Sequence, residues 1–162
     1  MTTAFDLLGD SRVLKIHWLK RAAAYAIDCL VVLIPTWAVL ALLGAAESVV
    51  LGLVSGVLFL YYSALSEAAT GRTVGKAVMK LTVRSSKGKL TVFQAFVRNV
   101  PKFFWYIFPP IDAIAGMASE GDPRQRLSDR ILGSTVVQAH YLRVKVHRVD
   151  VKKEPSKPPA KA

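Results

Sequence analysis

Two apolar runs joined by a very short polar connection constrain this chain more than any other feature. The runs cover residues 22–43 and 49–66, and residues 44–48 connect them. The first run contains 22 residues, enough to cross a hydrocarbon core of about 30 Å as a helix, and the second is slightly shorter. Because the connection leaves room only for a tight turn, the sequence predicts a membrane-embedded helical hairpin with both outer ends on the same side.

The distribution of positive charge supports a membrane location and predicts an orientation. The chain has a net charge of +11, yet none of its 22 lysines and arginines lies in residues 22–71. Since basic segments that flank membrane helices stay in the cytoplasm, we expect a multi-pass protein of the cell membrane with both termini cytoplasmic. The sequence has no basic stripe with interleaved aromatic residues, so the charge does not favour nucleic-acid binding.

The reactive residue types do not form a pattern typical of an enzyme or a metal site. Cys29 is the single cysteine, so the sequence predicts neither a disulfide framework nor a thiolate metal cluster. His140 and His147 have no third ligand at the usual spacing. No nucleophile stands beside a base as in a catalytic pair. We therefore predict a protein that is not an enzyme and uses no cofactor and no metal.

A third apolar region, residues 103–117, is short for a membrane span. It holds about 15 residues against the ~20 that a spanning helix needs, and Pro109 and Pro110 interrupt it. Basic residues flank both sides, so a full crossing would put a strongly basic C-terminal segment outside the cytoplasm. The sequence favours a re-entrant or interfacial helical hairpin that turns at the prolines, with a third spanning helix as the alternative.

Alternating residues outside the apolar runs predict a small cytoplasmic β-structure. Residues 80–84 and 89–93 alternate in polarity around a turn at residues 85–88, which predicts a β-hairpin. Alternation returns after Gly133, and pairing there with the first of these strands would complete a small sheet. The expected organisation is a cytoplasmic lead, a membrane domain, a C-terminal cytoplasmic strand and a disordered Lys/Pro-rich tail, at residues 1–14, 15–138, 139–151 and 152–162.

The candidate site consists of four charged residues within or beside apolar sequence: Arg21, Asp28, Asp112 and Asp129. Arg21 and Asp28 are close to two helical turns apart, so they share a helix face with a separation of about 10 Å along the axis. An ionisable group in a bilayer is costly and is a functional-site hypothesis by default. Two interpretations stay open: buried ion pairs that hold helices together, or carboxylates that exchange a proton or a cation, as carboxyl groups in a low dielectric can.

Two glycine patterns mark places where backbones can come close together. Gly52 and Gly56 form a GxxxG pattern that favours close helix packing, within the hairpin or between protomers, although glycine is also common in membrane helices. The turn at residues 71–76 ends in Gly-Lys like a phosphate loop. It lacks the four-residue spacer between the two glycines and the Ser/Thr after the lysine, so it does not predict nucleotide binding. This loop motif consists of Gly71, Thr73, Gly75 and Lys76.

The order and spacing of five motifs resemble the RDD family of membrane proteins. The motifs are RAAAYAID at residues 21–28, GRTVGK at 71–76, RN at 98–99, ID at 111–112 and QRLSDRILGSTVV at 125–137. The resemblance covers about residues 12–138. One departure is Val74, which stands where the family loop usually has a proline.

The resemblance implies both a set of site residues and an activity. The family is named for one arginine and two aspartates, and Arg21 and Asp28 match the first two of these positions. The second aspartate corresponds to Asp112 or to Asp129, with Asp112 favoured for its depth in the membrane. Some members have been linked to cation/proton antiport, so the resemblance implies exchange of protons for a monovalent cation.

Two functions from different classes are consistent with these patterns. The first is a cation/proton antiporter or transporter subunit in which Asp28 and Asp112 exchange ions and Arg21 tunes them. Since two spans and a re-entrant hairpin are too few to enclose a pathway, that function requires a homo-oligomer. The alternative is a non-transporting scaffold or accessory protein in the lipid bilayer, whose basic cytoplasmic face binds a partner or anionic lipid. There the Arg–Asp set acts as a structural lock.

Overall fold

Two long helices lead the fold, and several short helices and one small sheet follow them. A computed structural model describes Leu7 and residues 11–85, 90–119 and 122–138. In chain order the elements are α1 (Arg12–Leu42), α2 (Ser48–Thr70), α3 (Val74–Val78), β1 (Leu81–Ser85), α4 (Val92–Asn99), a 3-10 helix (Val100–Phe104), α5 (Phe108–Ala118), α6 (Leu127–Ile131) and β2 (Ser134–Gln138).

The first two helices confirm the two predicted apolar helices. Both α1 and α2 are long and apolar enough to cross a membrane. The turn between them contains Gly44 in the left-handed region, with a φ of 65°. α1 starts at Arg12 rather than at residue 22, because the Ser11 hydroxyl caps it by accepting a hydrogen bond from the Leu14 amide at 3.3 Å. Its 31 residues make it about 46 Å long, which is more than the thickness of a hydrocarbon core of about 30 Å.

The sheet confirms one predicted strand pairing and corrects another. β1 and β2 are antiparallel, with Leu81 opposite Gln138 and Ser85 opposite Ser134, as expected for residues 80–84 and the strand after Gly133. The predicted hairpin with residues 89–93 is wrong. Thr91 instead caps α4, because its hydroxyl accepts a hydrogen bond from the Gln94 amide while the Gln94 side chain accepts one from the Thr91 amide. This capping box overrides the alternating pattern.

The third apolar region contains only one short α-helix. It forms the 3-10 helix and then α5, whose 11 residues span about 16 Å, roughly half of a hydrocarbon core. Pro109 and Pro110 lie in the first turn of α5, where a missing amide hydrogen costs no helical hydrogen bond. The bend therefore lies just before the prolines, at residues 105–107, rather than at them. How deeply α5 enters a membrane stays a prediction.

A small apolar core joins the sheet to the helices. It contains Ala24 of α1 and Ala95 of α4, together with Leu81, Val83, Leu90 and Val136. By contrast, the outer faces of α1 and α2 expose large apolar side chains, among them Ile34, Trp37 and Leu53. Exposed apolar faces of this extent are typical of surfaces that contact lipid or another protein.

Several sequence predictions lie outside the described residues. These are most of the N-terminal lead, the turn centre at residues 86–89, His140 and His147, the C-terminal strand of residues 139–151 and the tail of residues 152–162.

Candidate functional site

Asp129 of α6 is the centre of a buried group of ion pairs. Its side chain is fully buried, and its two oxygens face three arginines from different parts of the chain. Arg98 Nη2 lies 2.7 Å from Oδ1, whereas Arg21 Nη2 and Arg126 Nε lie 2.8 Å and 3.5 Å from Oδ2. Burial alone would raise the pKa of Asp129, but the charges of Arg98, Arg126 and Arg21 outweigh it and hold the pKa well below its ordinary value.

The start of α6 and the loop before it hold Asp129 in place. Asp129 is the third helical residue, and its Oδ2 accepts a hydrogen bond from the Arg126 amide at 3.3 Å. The loop is fixed to the first turns of α1. The Trp18 indole donates to the Pro123 carbonyl at 3.0 Å, and Arg21 Nη1 donates to the Arg124 carbonyl at 2.5 Å. Arg21 therefore contacts both the loop and the carboxylate that follows it.

Glu67, near the end of α2, extends these ion pairs to the loop motif. It is fully buried and forms an ion pair with Lys76 of α3. Its Oε2 accepts a hydrogen bond from Asn99 Nδ2 at 2.9 Å and lies 3.4 Å from Arg98 Nε. Arg98 therefore bridges the carboxylates of Glu67 and Asp129. The charge network, as we name it, consists of Arg21, Glu67, Lys76, Arg98, Asp112, Arg126 and Asp129.

Asp112 belongs to the charge network but has its own local partners. Its Oδ1 accepts from the Ser128 amide at 2.8 Å and its Oδ2 from the Ser128 hydroxyl at 2.7 Å. Arg126 Nε lies 3.6 Å from Oδ2, so one arginine faces both Asp112 and Asp129. The close approach depends on Gly116 of α5, because a Cβ there would lie 2.6 Å from the Arg126 Cα. Asp112 thus ties α5 to α6.

Asp28 makes a separate set of contacts with neutral donors. Its Oδ1 accepts from the Tyr62 hydroxyl at 2.9 Å and from the Gly75 amide at 2.8 Å, and its Oδ2 accepts from the Thr73 hydroxyl at 2.5 Å. No ion pair or hydrogen bond joins Asp28 to Arg21 in the described part of the chain. We call Asp28, Tyr62, Thr73 and Gly75 the loop anchor.

The loop motif is shaped to receive Asp28. Gly71 ends α2 with a φ of 74°, which a residue without a side chain adopts easily. Thr73 caps α3 through its hydroxyl, which accepts from the Lys76 amide at 3.4 Å. At Gly75 a Cβ would lie 2.0 Å from the Ala24 carbonyl oxygen, so only glycine lets α3 approach α1 this closely. The glycines and the threonine thus serve the contact with α1.

Two buried lysines have lowered pKa values. Lys102 of the 3-10 helix donates to the Ser63 hydroxyl at 2.9 Å and lies 5.2 Å from the centre of the Phe59 ring. Among the described residues it has no ion-pair partner. Burial lowers the pKa of Lys102 to about 8 and that of Lys76 to about 7, although the charge of Glu67 opposes both shifts.

Buried basic groups outnumber buried acidic groups in this part of the fold. Among the described residues, four buried carboxylates face five basic side chains, of which Lys76 and Lys102 have pKa values lowered to about 7 and 8. The carboxylates are those of Asp28, Glu67, Asp112 and Asp129, and the cations are those of Arg21, Lys76, Arg98, Lys102 and Arg126.

The two glycines of the GxxxG pattern have different environments. A Cβ at Gly56 would lie 2.1 Å from the Phe103 carbonyl oxygen, so the 3-10 helix packs directly on α2 there. Gly52 has no heavy atom within 4 Å of such a Cβ. The close contact thus involves one glycine and a short 3-10 helix. As for metals, the described residues contain no group of three or more His, Cys, Asp or Glu that could hold an ion.

Part of this site was not predicted from the sequence. Glu67, Arg98 and Lys102 were not among the candidate residues, although each is buried with a polar partner. One signal was available for Glu67: it is the first charged residue after the second apolar run and comes four residues before the glycine that ends α2. Lys76 was assigned only to the loop motif, whereas its ammonium pairs with Glu67.

Comparison with known proteins gives one match. The model of the RDD family matches residues 16–133, more than two thirds of the chain. No curated protein and no solved structure matches the chain. The matched range contains the whole charge network and the loop anchor.

Proposed function

The chain belongs to the RDD family of membrane proteins, and from this premise we propose that it is a membrane scaffold or accessory protein whose buried charges lock the fold. One observation carries the proposal: each candidate aspartate already has a donor at both carboxylate oxygens. Asp28 is bound by neutral donors, Asp112 by Ser128, and Asp129 by Arg98 and Arg21. These carboxylates therefore have structural partners in place.

Cation binding at these carboxylates would be opposed by two physical terms. A bound cation would have to displace donors that are buried or half-buried, and an unmade buried hydrogen bond costs about 1–3 kcal/mol. The three arginines around Asp129 would also repel a bound cation. In addition, the low pKa of Asp129 keeps its carboxylate ionised at neutral pH, so it does not exchange protons there.

In this function the protein presents its basic residues to an anionic partner or lipid. Both termini would lie in the cytoplasm, and the loop at residues 122–126 and the sheet would face the same side as the first turns of α1. Segments rich in lysine and arginine beside a membrane helix are attracted to anionic lipid, by about 1 kcal/mol per residue. A homo-oligomer is compatible with this arrangement but is not needed for it.

A second function, cation/proton antiport, is favoured by one other observation. Lys102 and Lys76 are buried, and their pKa values of about 8 and 7 let them release a proton near neutral pH. A transporter built on this chain would move protons through these lysines. It would also have to be a homo-oligomer, because two apolar helices do not enclose a pathway.

Reconstitution of the purified chain into proteoliposomes separates the two functions. We expect no proton flux above that of empty liposomes when gradients of Na⁺, Li⁺ or K⁺ are imposed. The same preparation of Asp129→Asn should have a lowered unfolding temperature in detergent. Cation-driven flux by the wild type would overturn the scaffold function in favour of transport, and loss of that flux in Asp28→Asn or Lys102→Met that still insert and fold would identify the residue that carries it.

A further inference from the structure

A groove of about 590 Å³ lies between the first half of α1 and α5. Its volume falls within the range of small-molecule sites. The walls are mainly apolar and include Leu19, Ala22 and Tyr25 of α1 and Pro110, Ile114 and Met117 of α5. Three cations, Lys15, Arg21 and Arg126, also line it. We call this space the lateral groove.

The lateral groove has one basic end and one apolar end. The C-terminal part of α5 lies beside Arg126, because Gly116 is in close contact with that residue. The N-terminal part of α5 lies near Tyr25, whose hydroxyl donates to the Trp105 carbonyl just before the helix. Lys15 and Arg21 precede Tyr25 along α1, so all three cations gather at the end away from Pro110. From Lys15 to Tyr25 the groove extends about 15 Å along the helix.

The rim of the lateral groove is apolar and accessible from the side. Leu19 is 70% exposed and Ile114 is 56% exposed, although both line the groove. The apolar run of α1 begins at Ala22, so the deeper part of the groove lies where α1 enters hydrocarbon. Trp18 stands at the basic end, with the Arg21 guanidinium 4.8 Å from its ring, and indoles favour the membrane–water interface.

Arg126 is one of the three cations at the basic end of the groove. Its residue is 92% buried, and its Nε forms ion pairs with Asp129 and Asp112 at 3.5 Å and 3.6 Å without donating a hydrogen bond in the described part of the chain. An anionic group at the basic end would face Lys15, Arg21 and Arg126 together.

We propose, resting on the scaffold function above, that the lateral groove binds one anionic phospholipid. Its phosphate lies beside Lys15 and Arg126, and an acyl chain follows Ala22 and Tyr25 toward Pro110. Basic pockets between membrane helices are typical binding sites for anionic lipid headgroups. A lipid fits better than a peptide because the rim opens toward the same side as the exposed apolar residues of α1. Anionic phospholipid is thus the lipid class that the basic face of the scaffold recognises.

Native mass spectrometry of the full chain, released from detergent with added lipid, tests this proposal. The probes are phosphatidylglycerol and phosphatidylcholine with the same acyl chains. We expect the wild type to retain one phosphatidylglycerol and to prefer it over phosphatidylcholine. Ala22→Phe, which fills the groove, should weaken retention about tenfold or more. Lys15→Gln should weaken it about fivefold, as expected for one lysine near the headgroup.

Two matched variants serve as controls. Ala41→Phe adds the same side chain to an exposed position at the other end of α1, and Lys20→Gln removes a nearby lysine that does not line the groove. Both should retain lipid as the wild type does. Ile114→Trp fills the groove from α5, so the test does not depend on Ala22→Phe folding normally. Equal retention by Ala22→Phe, Ile114→Trp and Ala41→Phe would overturn the proposal.

Other outcomes distinguish this proposal from the scaffold function. Equal retention of both lipids would overturn the anionic specificity, and a peptide in place of lipid would overturn the choice of ligand. Cation-driven proton flux by the wild type would overturn the scaffold function. Lipid retention is measured separately by mass spectrometry and does not depend on that result. Failure of lipid retention, with no flux and a destabilised Asp129→Asn, would overturn only the lipid proposal.

Discussion

The loop anchor and the charge network are both built around a buried aspartate, but they use opposite chemistry. Asp28 accepts hydrogen bonds from two hydroxyls and one backbone amide, whereas Asp129 faces three guanidinium groups. The first arrangement surrounds a carboxylate with neutral hydrogen-bond donors, and the second pairs a carboxylate with opposite charges. A change that removes only the charge should therefore be tolerated at Asp28 far better than at Asp129.

The largest expected effect is that of Asp129→Asn. The substitution leaves Arg21, Arg98 and Arg126 buried without their shared counter-ion, and breaking a buried ion pair typically costs about 3–5 kcal/mol. We expect a fall of that size in the free energy of unfolding, measured by denaturation in detergent. Asp122→Asn is the control, because Asp122 pairs with the half-exposed Arg124 and should change the free energy by less than about 1 kcal/mol. If both substitutions lowered the free energy of unfolding equally, Asp129 would not be the shared counter-ion of the three buried arginines.

Gly75→Ala should rank second, because it breaks the loop anchor without touching a charge. The added methyl group would meet the Ala24 carbonyl oxygen at 2.0 Å, so α3 has to move away from Asp28. Overpacking of this kind costs about 1–3 kcal/mol, and we expect a value near the upper end. The matched variant Gly52→Ala enters open space on α2 and should be neutral or slightly stabilising. A thermal unfolding series on both variants measures the difference.

Asp28→Asn should be milder than either change. Asparagine keeps one oxygen to accept from Tyr62 and Gly75, and its amide nitrogen can donate to the Thr73 hydroxyl. We expect a loss of about 1–2 kcal/mol from the weaker hydrogen bonds, again by denaturation in detergent. A loss as large as that of Asp129→Asn would show that Asp28 balances a charge after all.

The smallest effect is a difference in pH dependence. The folded pKa of Asp129 lies well below its unfolded value near 3.8, so its stabilisation is fully present above that value. As the pH falls below about 4, the unfolded chain takes up the proton first and stability drops, by up to about 1.4 kcal/mol per pH unit. Wild type should therefore lose stability faster than Asp129→Asn in this range. The measurement is the free energy of unfolding of both proteins from pH 5 to pH 3. If it falls equally in both, Asp129 does not have a lowered pKa in the folded protein.

The parts of the fold that depend on local sequence could be predicted, but those that depend on distant partners could not. The apolar runs indicated α1 and α2, and strand alternation indicated the pairing of β1 with β2. At residues 89–93 two local signals competed, and the Thr91–Gln94 capping box prevailed over alternation. Both signals are visible in the sequence.

The candidate site shows the same division. The positions of Arg21 and Asp28 in an apolar helix identified both as buried charged residues. Their common helix face predicted a shared site, but the two side chains have different partners. Arg21 instead reaches Asp129, 108 residues away. Nothing in the spacing of the chain indicates that Glu67 and Asp129 share Arg98, because this depends on how α2, α4 and α6 pack.

The separation between Arg21 and Asp129 has a consequence for biogenesis. Ribosomes add about 5–20 residues per second, so Arg21 is made roughly 5–20 s before its carboxylate partner. Until then the guanidinium of Arg21 has no access to this carboxylate and must be solvated by water or by other groups. Truncation after residue 126 would therefore leave Arg21 without its partner, with α1 and α2 already complete.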